Sequence, residues 1–136
     1  MTQNDTDKLV QYWLKAAEMD MQTAVEIHDN TKKYVSVLFY IHLSLEKILK
    51  ALYVTRKKEH APFSHNLIYL AKHADLELSD KDTRLLTEIN DFNIECRYPD
   101  EKFRIYKTAT AGFTGKYLKN AGEFMTWISE KLKNGQ

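Results

Sequence analysis

Only four glycines and two prolines occur in this 136-residue chain, and three of the glycines fall at positions 112, 115 and 122 in one C-terminal segment. Glycine and proline are the strongest local breakers of regular structure, so long stretches run without a turn signal and no linker divides the chain. Those stretches must be filled with regular structure, and the hydrophobic spacing within them is helical. The reading that follows is an all-α single domain, residues 1–136, built as an antiparallel up-and-down bundle of about five helices with short connections. A chain of this length can bury one sizeable core, and with 43% hydrophobic and 29% charged residues it is composed like a folded domain rather than a disordered one.

A first helix is predicted from an N-cap at Asn4 or Asp5, with Trp13, Ala16, Ala17, Asp20, Ala24 and Ile27 recurring at helical spacing until HDNTKK. Asp20 stands out because it lies on or beside that apolar stripe. The second helix, about residues 33–56, presents Val37, Leu38, Ile41, Leu45, Ile48, Leu49 and Leu52, a face broad enough for the central helix. Pro62 and Ser64 interrupt the chain, and Ser64 or Asn66 caps a shorter helix carrying Leu67, Leu70 and Ala71. Ser79 and Asp82 have capping-box spacing and open a fourth helix through Leu85, Leu86, Ile89 and Phe92. It should end near Arg97, because the residue before Pro99 is pushed out of helical geometry. The segment KTATAGFTGKY, rich in small residues and threonine, reads as a mobile connection to a last helix over about residues 113–133. That helix buries Tyr117, Leu118, Ala121, Phe124, Met125, Ile128 and Leu132.

Twenty Lys and Arg stand against nineteen Asp and Glu, a formal charge of +1, so no global field draws the chain to nucleic acid or an anionic membrane; anion binding would need a local patch. The single cysteine, Cys96, supports neither an internal disulfide nor a thiolate zinc site. No secretory leader or membrane-length apolar run is read, which makes the cytoplasm the expected compartment. None of the five histidines forms a helical metal pair, and no metal or other cofactor is expected.

Five residues invite a chemical reading. His42 and Glu46, four apart, share a face as a structural or a catalytic pair; Glu46 and Lys50, again four apart, are oriented for a solvated ion pair. His65, just after Ser64, is placed to tie the loop to a neighbouring helix. Arg97, at a helix end followed by Tyr98 and Pro99, offers a planar fork that clamps a phosphate or bridges to a carboxylate with equal ease.

Taken in order, Tyr12-Trp13, Ala16 to Asp20, FYIHLSLEKILKALY, SHNLIYLA, CRYPDEKF, Ala121 and WISEKL resemble the HEPN family, small prokaryotic helical domains, from about Lys8 to Leu132. The resemblance implies a homodimer with a polar cleft between the copies and, in many members, a nucleotidyltransferase partner within a toxin-antitoxin system. In several members it implies metal-independent RNA cleavage by an Arg followed after four to six residues by a His. Arg97 matches that Arg, but residues 100–107 hold no histidine and none follows His73. Substitutes for the missing base are His65, His42 or Tyr98, and Tyr106 corresponds only approximately to the tyrosine that some partners modify. The resemblance places Arg97 at the cleft near Glu46, with Arg97, Glu46 and Lys50 as the nucleotide- or phosphate-binding set. The expected function is a nucleotide- or RNA-binding interaction module lacking the ribonuclease pair. The alternatives are a noncanonical metal-independent RNase using Arg97, and a structural dimeric partner in which Arg97 bridges to Glu46.

Overall fold

The computed structural model describes residues 1–101 and 103–135 and is helical, with no strand among them. Its helices are α1 (Gln3–Asn30), α2 (Tyr34–Lys57), α3 (Leu67–His73), α4 (Asp80–Arg97), α5 (Arg104–Thr108) and α6 (Ala111–Lys133). The expected bundle is present, with one short helix, α5, added to the five predicted.

The boundaries follow from local chemistry. The cap of α1 is Thr2 rather than Asn4 or Asp5: its hydroxyl accepts from the Asp5 N–H while the Asp5 carboxylate accepts from the Thr2 N–H, a reciprocal capping box. Those two bonds satisfy donors that the first turn of any helix leaves unpaired. Asn66 caps α3 and Ser79 caps α4, each accepting from the backbone N–H three residues on. Ahead of Pro99, α4 stops at Arg97, and Tyr98 leaves helical geometry with φ −131° and ψ 67°.

The segment expected to be mobile is instead ordered by its own threonines. Thr108 Oγ1 donates to the Arg104 carbonyl, Thr110 Oγ1 accepts from the Phe113 N–H as the cap of α6, and the buried Thr114 Oγ1 donates to the Thr110 carbonyl. Hydroxyls that suggest a loop in sequence are here bonded to the backbone where helices begin and end, so α6 starts at Ala111 rather than Phe113.

The core is organised around α2, whose Leu38, Ile41, Leu45, Ile48, Leu49 and Leu52 are fully enclosed. The three-residue connection after α1 makes α1 and α2 adjacent and antiparallel. Ala17 and Ala24, both 0% exposed and two turns apart, let the two helices approach until the Ser44 hydroxyl reaches the Ala17 carbonyl at 2.9 Å. Asp20, on the same helix, joins the seam through an ion pair with Lys47 at 2.6 Å. Leu118 and Leu132, expected inside, lie half-buried at the core margin. No described helix is long and apolar enough to cross a membrane.

Since Ala17 is fully enclosed in that seam, Ala17→Leu should lower stability by about 1–3 kcal/mol through overpacking while the helical signal persists. Ala16→Leu, at a half-buried position, should change it by less; urea denaturation followed by circular dichroism separates the two.

Candidate functional site

His42, Glu46 and Lys50 follow one another at four-residue intervals on α2, which stacks them on a single face. That face points inward. Glu46 is 5% exposed and Lys50 7%, so the pair is buried rather than solvated. Because α2 is covered on nearly all sides, its charged residues are enclosed with the apolar ones. The carboxylate is satisfied on both oxygens: Oε2 accepts from Lys50 Nζ at 3.0 Å and Oε1 from His65 Nδ1 at 2.9 Å. The Lys50 ammonium also lies 5.2 Å from the centre of the Trp13 ring on α1, a cation–π contact that helps accommodate a charge taken out of water.

His65 is held twice by α2. Its side chain donates to Glu46, and its backbone carbonyl accepts from His42 Nε2 at 2.8 Å. The tie predicted from its place in the loop is therefore present, through both side chain and main chain. Its segment is fixed from the other side as well. Asn90 on α4 accepts from the Leu67 N–H through Oδ1 at 2.9 Å and donates through Nδ2 to Asn66 Oδ1 at 3.0 Å. A carboxylate only accepts, so His65 Nδ1 carries the hydrogen and the neutral ring keeps its lone pair on Nε2. The His65 side chain is 55% exposed. The result is an oriented, accessible imidazole.

His42 is a different case. With Nε2 donating to the carbonyl, its Nδ1 has no hydrogen-bond partner and lies 3.9 Å from Glu46 Oε1, beyond bonding distance. Burial drives its pKa below the ordinary value, partly offset by the Glu46 charge and reinforced by those of His65 and Arg97. A fully enclosed ring has no access to a substrate and serves as a strut between α2 and the His65 loop.

Arg97 does not pair with Glu46, contrary to the bridge expected from the family likeness; both Glu46 oxygens are taken up elsewhere. No carboxylate among the described residues lies within 4.0 Å of the guanidinium. Instead its Nε approaches the Asn93 amide oxygen at 3.5 Å and the guanidinium sits 5.6 Å from the centre of the Phe39 ring on α2. These contacts orient the charge without neutralising it. The charges of Arg97 and His65 both act on His42, which places the two around the same buried ring. Tyr98 follows at 76% exposure. Where the family's histidine and tyrosine would fall, Arg104 is ion-paired with Asp100 at 3.1 Å and Tyr106 packs edge-to-face on Phe103. Burial pushes the Cys96 thiol up to about 11, so it is not a reactive thiolate. No group of three metal-ligating side chains converges among the described residues.

Asn90 and Asn93 were missed by the sequence reading, as were the roles of Trp13 and Phe39. The signal was present: Asn90, Asn93 and Arg97 stand at i, i+3 and i+7, one polar face on an otherwise amphipathic helix. Two outcomes follow. Glu46→Gln should cost about 3–5 kcal/mol by stranding the Lys50 ammonium, and adding Lys50→Met should recover much of that loss, read by denaturant titration as a double-mutant cycle. The His42 pKa is lower folded than unfolded, so its contribution is complete above the unfolded value near 6.5 and is lost as pH falls below it. Stability should accordingly decline less steeply from about pH 7.5 to 5 in His42→Gln than in the parent, a difference that denaturation across that range would reveal.

Comparison with known proteins places this architecture. The crystal structure of TT1696 from Thermus thermophilus matches with a TM-score of 0.77 at 17% identity, covering 90% of this chain and 97% of that one. At that identity the likeness is one of fold. No curated protein matches. The HEPN domain matches residues 10–132, nearly the whole chain. The chain belongs to the HEPN family.

Proposed function

We propose that this HEPN domain is a nucleotide- or RNA-binding interaction module in which Arg97 takes a phosphate. The carrying observation is that the Arg97 guanidinium is held in place by Asn93 and Phe39 but has no carboxylate counterion among the described residues. An oriented, uncompensated guanidinium is suited to a phosphate, which accepts two parallel N–H bonds from it. Glu46 and Lys50 support the site from beneath, by fixing His65, rather than by touching a ligand. In this reading the module works as a homodimer beside a nucleotidyltransferase partner, as membership of the family suggests.

A second reading is favoured by one specific observation, the exposed His65 ring oriented by Glu46. It is the accessible histidine among the substitutes for the absent motif base, since His42 is enclosed. In a metal-independent cleavage, His65 Nε2 would take the proton from an RNA 2′-hydroxyl and that oxygen would attack the adjacent phosphorus. The 5′-oxygen would leave and be protonated, with Arg97 balancing charge on the non-bridging oxygens. The products would be a 2′,3′-cyclic phosphate and a 5′-hydroxyl. Binding alone is preferred because the family's proton-transfer residue, worth roughly a hundredfold to ten-thousandfold in rate, is absent from its motif position.

The test is metal-free incubation of the protein with a mixed RNA pool, products and retained RNA being read on one gel. Retention of uncut RNA by the parent, weakened about tenfold or more in Arg97→Ala, is the expected result. Cyclic-phosphate ends that disappear in His65→Ala would instead establish the second reading. Neither retention nor cleavage would overturn both.

A further inference from the structure

The exposed aromatic side chains fall into two groups. Tyr12 packs edge-to-face on Trp13, Tyr69 stacks on His73 at 3.9 Å, and Phe103 and Tyr106 pack on each other at 5.9 Å, so each of these rings has an aromatic neighbour of its own. Phe63 and Tyr98 do not fit that pattern. Phe63 is fully exposed, at 101%, and its sole ring neighbour among the described residues is His65, 6.3 Å away and tilted by 58°. Tyr98, at 76%, has no ring neighbour among the described residues. These two open faces flank the two polar groups of the site: Phe63 lies two residues before His65, and Tyr98 directly follows Arg97.

A bare phenylalanine in water loses hydrophobic stabilisation that burial would have supplied, and an aromatic face left open beside an uncompensated cation has a specific chemical complement. That complement is a flat π-surface carrying negative charge a few ångströms away, which describes a nucleotide whose base is unpaired. Bases stack on aromatic rings irrespective of sequence, whereas a base inside a duplex has both faces occupied. We infer that Phe63 and Tyr98 are stacking platforms on either side of the Arg97 phosphate position, so that the site selects single-stranded over double-stranded nucleic acid and reads little sequence. This rests on phosphate binding at Arg97 and adds to it the class of strand. Its distinguishing feature is that affinity comes from the base as well as the phosphate.

Because both rings are exposed, Phe63→Ala and Tyr98→Ala should fold normally, and Phe63→Trp keeps a platform as the positive control. Fluorescence anisotropy is measured with four probes: a short single-stranded RNA, the same strand with abasic positions, the matching duplex, and inorganic pyrophosphate as competitor. The single strand should bind more tightly than the abasic strand and the duplex. Each alanine variant should lose roughly five- to a hundredfold for the single strand, little for the abasic strand or pyrophosphate, and Phe63→Trp should retain parental affinity. Equal affinity for native and abasic strands, with both lost in Arg97→Ala, would overturn the platforms while leaving phosphate binding intact. No binding of any probe by the parent would remove both. If Phe63→Ala leaves the anisotropy unchanged but converts a dimer to a monomer in sedimentation, the ring is a contact between copies and the inference fails.

Discussion

The polar contacts at one end of the bundle converge on the carboxylate of Glu46. It is enclosed by α2 and its neighbours, receives an ammonium on one oxygen and an imidazole on the other, and so keeps both donors where they are. A buried carboxylate is tolerated only when its lone pairs are occupied, and breaking one such pair leaves the other partner uncompensated. This makes the Lys50 and His65 positions mutually dependent although they belong to different segments. Lys50 in turn leans on Trp13, and the His65 main chain on His42, so one carboxylate links α1, α2 and the segment leading into α3.

With Glu46 committed in this way, Arg97 has no anionic partner among the described residues. Asn93 and Phe39 supply a neutral amide and an aromatic face, which fix direction without removing charge. The site thus combines a compensated interior with an uncompensated rim, and a rim cation attracts an anion more strongly when no internal carboxylate competes for it. The overall charge of the chain is close to neutral, so any attraction for nucleic acid originates here rather than from the surface as a whole.

The helices were legible because hydrophobic period and punctuation agreed: Pro99 ended α4 where expected, and the apolar positions of α2 marked it as central. What misled was chemistry with two readings. Thr108, Thr110 and Thr114 resemble a polar loop until their hydroxyls are seen bonded to helix ends. Glu46 and Lys50 have the spacing of an exposed ion pair, and spacing alone says which residues are neighbours but not whether their face is turned inward. The apolar residues on nearly every side of α2 were the available clue, since a helix covered all round must enclose its charged residues too. The partner of Arg97 was illegible for another reason: it depends on how α4 is set against α2, which no local pattern encodes. Asn93 lies four residues before Arg97 and was within reach, but an asparagine inside a helix has too many ordinary explanations to single itself out.

The contact between Lys50 and Trp13 has an optical consequence. The chain holds two tryptophans, and the other, Trp127, stands on α6 beside Phe124 and Lys131, away from this network. Indole emission responds to a nearby charge, and the ammonium over Trp13 is positioned by the same carboxylate that positions His65. The molecule therefore carries a built-in chromophore one ion pair away from its candidate ligand site, so that a change at the imidazole can be followed as a change in colour at the opposite side of Glu46 without attaching any label.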